Sequence, residues 1–406
     1  MNYNLIDGGV CAAKGFMASG VHAGIRKNKT KKDLALIYSE KRAAAAAVYT
    51  QNLVKGAPII VTKKNIEDGF AQAVIVNSGN ANTCNADGPY IAEKMCEITA
   101  NELGISKSDV VVASTGVIGQ PLPIEPFETG IPEVKKALSF NGSQDAAEGI
   151  MTTDTKLKEI SLAFEIDGKE VRIGGIAKGS GMIHPNMATM LVFVTTDCAI
   201  TSEMLNLALK EDVKDSFNMI SVDGDTSTND MVSILANGLA GNTLIDKKGE
   251  SFDDFCQALS IVTKNLCKKI AQDGEGATKL LECNVTGGKD EENAKKVAKS
   301  VVCSSLLKAA MFGKDANWGR ILCAIGYSGA ECDVMKVKVD LASLNGEINV
   351  CKNGSGVDFD EEKAALILEA DEIKINITLE DGDGKATAWG CDLTYDYVKI
   401  NGDYRT

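Results

Sequence analysis

Aromatic residues make up only 5% of this 406-residue chain, and there are two histidines, His22 and His184. A core so poor in rings must be packed from Ala, Val, Ile, Leu and Met. With two histidines, an imidazole-based nucleophile or a zinc site has little to work with, and each histidine reads first as structural. No GxSxG elbow is present. The twelve cysteines form no CxxC pair, and several, as in ILCAIG, sit in apolar stretches and read as reduced, buried thiols. No apolar run approaches the roughly 20 residues needed to cross a bilayer. The start, MNYNLIDGGVCAAKGF, shows neither the charged nor the long apolar region of a secretory leader, so the cytoplasm is the expected compartment. No basic stretch is interleaved with aromatics and the formal net charge is −13, which argues against a nucleic-acid surface. KGSG (178–181) and DGEGAT (273–278) complete neither GxGxxG nor GxxxxGK[ST], so no nucleotide fingerprint stands. VDGDTST (222–228) echoes the start of aspartyl-phosphate phosphatases but follows no clean apolar strand.

What is present is an alternation of strands and helices. QAVIVNSGN (72–80) and DVVVAST (109–115) read as buried strands ending in small polar residues. Between them, 91–104 reads as an amphipathic helix closed by Gly104. Residues 160–177 read as a hairpin turning at Asp167-Gly168, with 188–197 as the next strand. Long helices are expected over 252–273 and 292–313, then strands to the end, including KATAWGCDLTYDYVKI, and a polar tail, NGDYRT. No repeat and no Pro/Ser-rich linker is visible, and the loop 178–188 is the expected break between lobes.

That loop also raises a chemical question. In KGSGMIHPNMATML (178–191) a Gly/Pro loop empties into an apolar strand beginning at Thr189. A threonine here is good strand material. It also suits an N-terminal nucleophile: freed by chain cleavage after Ala188, its own α-amine would serve as the base that the missing histidines cannot supply. The ends of the two buried strands, STG (114–116) and NSGNAN (77–82), could supply oxyanion donors or simply turn the chain.

The residues AKGSGMIHPNMATML, VIVNSGNANTC, STGVIGQPLP, AAEGIMTTDT, SFNMISVDGDTSTND, GEGATK, FGKDANWGRI and YVKINGDYRT together resemble the bifunctional ornithine acetyltransferases, or glutamate N-acetyltransferases, of arginine biosynthesis, nearly end to end. The resemblance implies an α/β fold, a layered αββα sandwich similar to N-terminal nucleophile hydrolases. It implies self-cleavage between Ala188 and Thr189 into an α chain, 1–188, and a β chain, 189–406, assembled as an α2β2 heterotetramer. It implies a ping-pong transfer of acetyl from N2-acetylornithine to glutamate through an acetyl-Thr189 intermediate. Thr115 and Gly116 would form the oxyanion hole, and Thr152, Lys178, Glu275, Asn401 and Thr406 would join Thr189 in binding substrate, with Lys178 near a carboxylate and Glu275 facing an amino group. No metal and no resident cofactor is implied; acetyl-CoA enters only as a second acetyl donor, which the resemblance leaves open. Two other readings share the same nucleophile: an amidase with water as acceptor, and a protein that cleaves itself only to mature.

Overall fold

Why the chain layers as it does can be read from which face of each strand is apolar. The computed structural model describes residues 2–184 and 190–403. The first part runs β1 (Tyr3–Ile6), β2 (Phe16–Val21), β3 (Leu34–Tyr49), α1 (Ala57–Asn65), β4 (Phe70–Asn77), α2 (Gly88–Leu103), β5 (Val110–Ser114), α3 (Glu125–Lys136), α4 (Ser143–Ile150), β6 (Lys158–Ile166) and β7 (Lys169–Lys178). The second runs β8 (Leu191–Thr196), α5 (Ser202–Asp212), β9 (Met231–Ala236), α6 (Glu250–Gln272), β10 (Leu280–Gly288), α7 (Glu291–Cys303), α8 (Ser305–Phe312), α9 (Trp318–Gly326), β11 (Lys338–Ser343), β12 (Gly346–Lys352), β13 (Ser355–Gly356), α10 (Glu361–Ile367), β14 (Glu372–Thr378), β15 (Gly384–Cys391) and α11 (Tyr395–Asp403).

Nine strands form one sheet, β1-β6-β7-β8-β9-β3-β4-β5, with β2 added to β3. The long strand β3 serves both halves: its first part pairs with β2 and β4, its last part with β9, and its register against β4 slips between Tyr38 and Ala43. The side chains show that the sheet folds over there. Ala35 and Ile37 of β3, Val74 and Val76 of β4, and Val111 and Ala113 of β5 share one cluster with Ile176, Leu191, Phe193, Met231 and Leu235 of the other half. The alternate residues of the first half, such as Leu36, Ile75 and Val112, pack against α1, α2 and α3. Those of the second half, such as Val192, Val194 and Ile234, pack against α5 and α6. Helix, sheet, sheet, helix is therefore the order of layers, as the αββα expectation states, and strict period-two alternation produces it.

A six-stranded sheet, β13-β12-β11-β14-β10-β15, shares the α6 core with α7, α8 and α9. The loop after β7 does not separate lobes: Ile173 to Lys178 of β7 pair antiparallel with Thr196 to Leu191 of β8 across it. Two expected elements differ. The helix over 292–313 is cut at Ser304, which is extended and whose hydroxyl accepts the Leu307 amide, starting α8 afresh. The last strand stops at Cys391, and YDYVKI belongs to α11 instead. As expected, Gly104 closes α2 at φ 70° and Asp167-Gly168 turns the β6–β7 hairpin with both φ positive; of the expected strand 188–197, residues 188 and 189 lie outside the described residues and Leu191–Thr196 form β8, and Cys323 of ILCAIG is exposed rather than buried.

Candidate active site

Two parallel strands, β4 and β5, end side by side, and their ends build the first wall of a cavity. Asn77 closes β4. Its side-chain oxygen accepts the amides of Gly79 (2.9 Å) and Asn80 (3.1 Å), and its amide donates to the Ser114 hydroxyl (2.9 Å), tying loop 78–80 to the end of β5. The Thr115 amide donates to the Asn77 carbonyl at 2.9 Å. Gly116 follows with φ +131°, and a Cβ there would lie 2.8 Å from the Asn80 nitrogen, so only glycine fits. Asn229, just before β9, completes this wall: its amide donates to the carbonyls of Ser114 (3.0 Å) and Ala81 (2.5 Å), and its oxygen accepts from Thr83 and Thr228, both at 2.6 Å.

A second wall is made of charge. Lys178, the last residue of β7, is buried and its Nζ lies 3.4 Å from the Thr115 hydroxyl, to which it donates. Burial pushes its ammonium below the usual lysine value, and the Asp154 carboxylate opposes that shift. Asp154 is fully enclosed. Burial acts against its charge, but Lys158 and Lys178 outweigh burial and hold its carboxyl well below the usual range. Its oxygens accept the Gly179 amide (2.7 Å), the Thr152 amide (2.9 Å) and the Lys158 ammonium (2.7 Å). Lys158 also donates to Asp273 at 2.5 Å, and Asp273 accepts the amides of Thr155 and Lys156. One buried chain of charges thus anchors the segments carrying Thr152, Lys178 and, two residues beyond Asp273, Glu275. The Glu275 amide donates to the Ser180 carbonyl (2.9 Å), and its carboxylate occupies the space a Cβ on Gly181 would need. Asn401 of α11 donates to that carboxylate at 2.8 Å.

The cavity between the walls holds about 330 Å³ and is lined by Thr115, Gly116, Thr152, Lys178, Glu275 and Asn401 together with Met190 and Leu191. Six of the expected site residues therefore converge. Ala188, Thr189 and Thr406 lie outside the described residues. Neither histidine lines the cavity. His22 sits 3.0 Å from the Lys31 carbonyl, and His184 contacts the Ser221 hydroxyl at 3.1 Å.

Sequence reasoning passes over Asp154, Lys158, Asp273 and Asn229, whose only signal is a polar residue at an element end with no turn to explain it. It also passes over the role of VDGDTST. The Asp223 carboxylate accepts the amides of Met182 (2.6 Å) and Ile183 (2.9 Å), the Thr226 hydroxyl donates to the His184 carbonyl (2.8 Å), and Met182 is held at φ +54°. The segment is a cradle for residues 182–184. Among the described residues no group of three or more His, Cys, Asp or Glu is arranged to hold a metal ion, and no helix is long and apolar enough to cross a membrane.

Comparison with known proteins agrees over nearly the full length. The arginine biosynthesis bifunctional protein ArgJ of Caldanaerobacter subterraneus subsp. tengcongensis is 52% identical over 403 residues, covering 99% of this chain and all of its own. ArgJ 1 of Clostridium acetobutylicum is 53% identical over 392 residues, 96% of each chain. The crystal structure of the bifunctional protein ArgJ from Bacillus halodurans, 47% identical, aligns over 53% of this chain and all of that one with a TM-score of 0.51. The family pattern described as ArgJ matches residues 17–406, and with relatives of this identity and coverage the chain belongs to the ArgJ family.

Proposed function

We infer that this chain moves the acetyl group of N2-acetylornithine to glutamate, working through Thr189 after cleaving itself between Ala188 and Thr189. The observation that carries the reading is the convergence of Thr115, Gly116, Thr152, Lys178, Glu275 and Asn401 on one cavity whose wall also includes Met190 and Leu191, the residues directly after Thr189 in sequence. In the precursor, the Thr189 hydroxyl adds to the Ala188 carbonyl. The C–N bond breaks, the amine takes the proton, and water hydrolyses the resulting ester. The freed α-amine, with an ordinary pKa near ~8, then accepts the hydroxyl proton of its own residue. Thr189 attacks the acetyl carbonyl and ornithine leaves as the amine. Glutamate's amine takes the acetyl group and Thr189 is regenerated.

The walls suit these steps. Thr115 and Gly116 face the place where a carbonyl oxygen would gain charge, at a rigid turn that needs no reorganisation. Lys178 offers a cation for a substrate carboxylate, and Glu275 an anion for the ornithine side-chain ammonium. We place the enzyme in the cytoplasm as an α2β2 assembly of chains 1–188 and 189–406, with no resident cofactor.

The test is the intact mass of the purified protein under denaturing conditions, followed by transfer from N2-acetylornithine to glutamate. Two pieces divided after Ala188, with Thr189→Ala left whole and inactive, are expected. A Thr189→Ala variant that still transfers acetyl would remove the nucleophile from the scheme.

A further inference from the structure

Asp230 immediately precedes β9 and lines the reaction cavity, yet the acetyl-transfer steps assign it no part. It is 2% exposed. A carboxylate taken that far from water costs free energy unless a cation answers it. Its backbone is fixed on both sides. The Asp230 carbonyl accepts the Thr50 amide (3.1 Å), and the next amide, that of Met231, donates to the Met190 carbonyl (2.9 Å). The residue before it, Asn229, holds the Ser114 carbonyl at 3.0 Å. The chain at Asp230 is thus tied to the Thr115–Gly116 turn on one side and to Met190 on the other.

The charges around the cavity are few. Lys178 and Glu275 line it with Asp230. Asp154, Lys158 and Arg26 act on Lys178 from outside the lining. On the neighbouring strand β3, Tyr49 pairs with Met231 but lines a separate cavity with Lys63, Glu67 and Asp68. Asp154 already accepts two amides and the Lys158 ammonium, and Glu275 accepts from Asn401. Burial depresses the Lys178 ammonium, and the Asp154 and Asp230 carboxylates oppose that shift.

Acyl transfer adds a further charge. When the base amine takes the proton of the nucleophile's hydroxyl, it becomes an ammonium. When the bond between acetyl carbon and nitrogen breaks, that proton passes to the ornithine nitrogen. On the acetyl-transfer reading the reacting carbonyl, and the nitrogen bonded to it, meet the Thr115–Gly116 turn, whose hydroxyl lies 3.4 Å from the Lys178 Nζ. A second cation therefore arises close to the first in an enclosed space, where like charges repel strongly. A fixed anion on the same wall offsets that repulsion.

We propose that Asp230 is the fixed counter-ion of the ammonium formed during transfer, a positioning residue that takes up no proton itself while the proton moves from the hydroxyl to the base amine and on to the leaving nitrogen. The inference rests on the acetyl-transfer reading, because only a base amine working in this cavity creates such a charge.

The experiment is the pH profile of kcat/KM for N2-acetylornithine in the parent and in Asp230→Asn, which keeps the shape and deletes the charge. The acid limb reports the base amine, which must be neutral to accept a proton. In the variant this limb should move to lower pH by about one unit, a roughly tenfold loss of proton affinity, and the plateau kcat should fall about tenfold. An unmoved limb overturns the proposal, whether the plateau falls, as damaged packing would make it, or KM rises, as a lost substrate contact would. Should the variant fail to fold or stay uncut, the parent decides. The rate at which cyanate carbamylates the Thr189 amine at each pH, read by mass on the first peptide of chain 189–406, gives that amine's titration. A midpoint at or above the ordinary ~8 supports the counter-ion, and a lower one overturns it, because the Lys178 charge then acts unopposed. Intact mass and acetyl transfer are recorded on the same parent. A cut, active parent whose limb stays in place in the variant loses only the Asp230 assignment, whereas an uncut or inactive parent sinks the reading beneath and the counter-ion with it.

Discussion

The two walls of the reaction cavity do neighbouring jobs with different physics. The Thr115–Gly116 wall is neutral. Asn77 and Asn229 hold it with amide hydrogen bonds, and a turn only glycine can make completes it. The Lys178–Glu275 wall is ionic, with Asp154, Lys158 and Asp273 buried in series behind it. A neutral wall is indifferent to pH and loses modestly when one bond goes. A buried ionic wall fails sharply when one member is removed, because the remaining charges are left uncompensated.

The largest effect should therefore come from Asp154→Ala. It takes from the buried Lys178 ammonium the carboxylate that offsets its burial, leaves Lys158 with Asp273 alone, and unfastens the Thr152 and Gly179 amides. A loss of about 3–5 kcal/mol is expected in denaturant unfolding. Asn77→Ala, on the neutral wall, should cost only about 1–3 kcal/mol. Equal losses in the two variants would erase the distinction between the walls.

Gly116→Ala tests the neutral wall where it is least forgiving. The new Cβ would press on the Asn80 nitrogen and the Gly79 carbonyl carbon, both at 2.8 Å, so the turn must shift. A fall in kcat of roughly 10²-fold is expected, the scale of a lost oxyanion donor. If kcat survives while the protein is merely less stable, oxyanion stabilisation belongs elsewhere.

Glu275→Gln probes the charged wall at its substrate end. It keeps the shape and a partner for Asn401 but deletes the anion. KM for N2-acetylornithine should rise about tenfold, with a smaller change in kcat, because the contact serves ground state and transition state alike. A change confined to kcat would place Glu275 in the chemistry instead.

The contrast between the walls also explains what could be read from sequence. The strand ends that build the neutral wall were legible, whereas Asn229, which completes it, was not. VIVN and VVVAS announce two buried strands, and the small residues at their ends announce turns that only particular backbones can make. Of the layering, the alternation of strands and helices was legible; the double-sheet order was implied only by the family resemblance, and the structure shows it in how β4 and β5 divide their apolar residues between two clusters. The buried charges behind the ionic wall were not. Asp154 and Lys158 are four residues apart, but Asp273 lies 115 residues beyond Lys158 and only the fold joins it to them, and nothing local distinguishes a buried aspartate from a solvated one. The break at Ser304 and the helix over 395–403 were missed for the opposite reason, because local pattern favoured continuity until a hydroxyl cap and an end of sheet pairing decided otherwise.

The smallest effect concerns acid, and it separates the cradle of the 182–184 segment from the ionic wall. Burial, aided by the Lys299 charge, lowers His184 to about 4. Its folded value lies below the ordinary ~6.5, so between those values the unfolded chain binds the proton and the folded chain does not. His184 therefore contributes stability that is whole above ~6.5 and is lost as pH falls toward about 4. Burial raises Asp212 to about 6, and its contribution runs the other way, fading as pH rises through that value. The raw pH slope of the protein mixes the two, so the informative quantity is a difference. His184→Gln should lose less stability than the parent between pH 7.5 and 5, measured by urea midpoints at each pH. Asp154 takes no part in that window, because its depressed carboxyl gives up its share only as pH falls below the ordinary carboxylate range. A His184→Gln slope identical to the parent's would mean that burial and the Lys299 charge do not hold the imidazole neutral, and that acid reaches this protein first through its carboxylates.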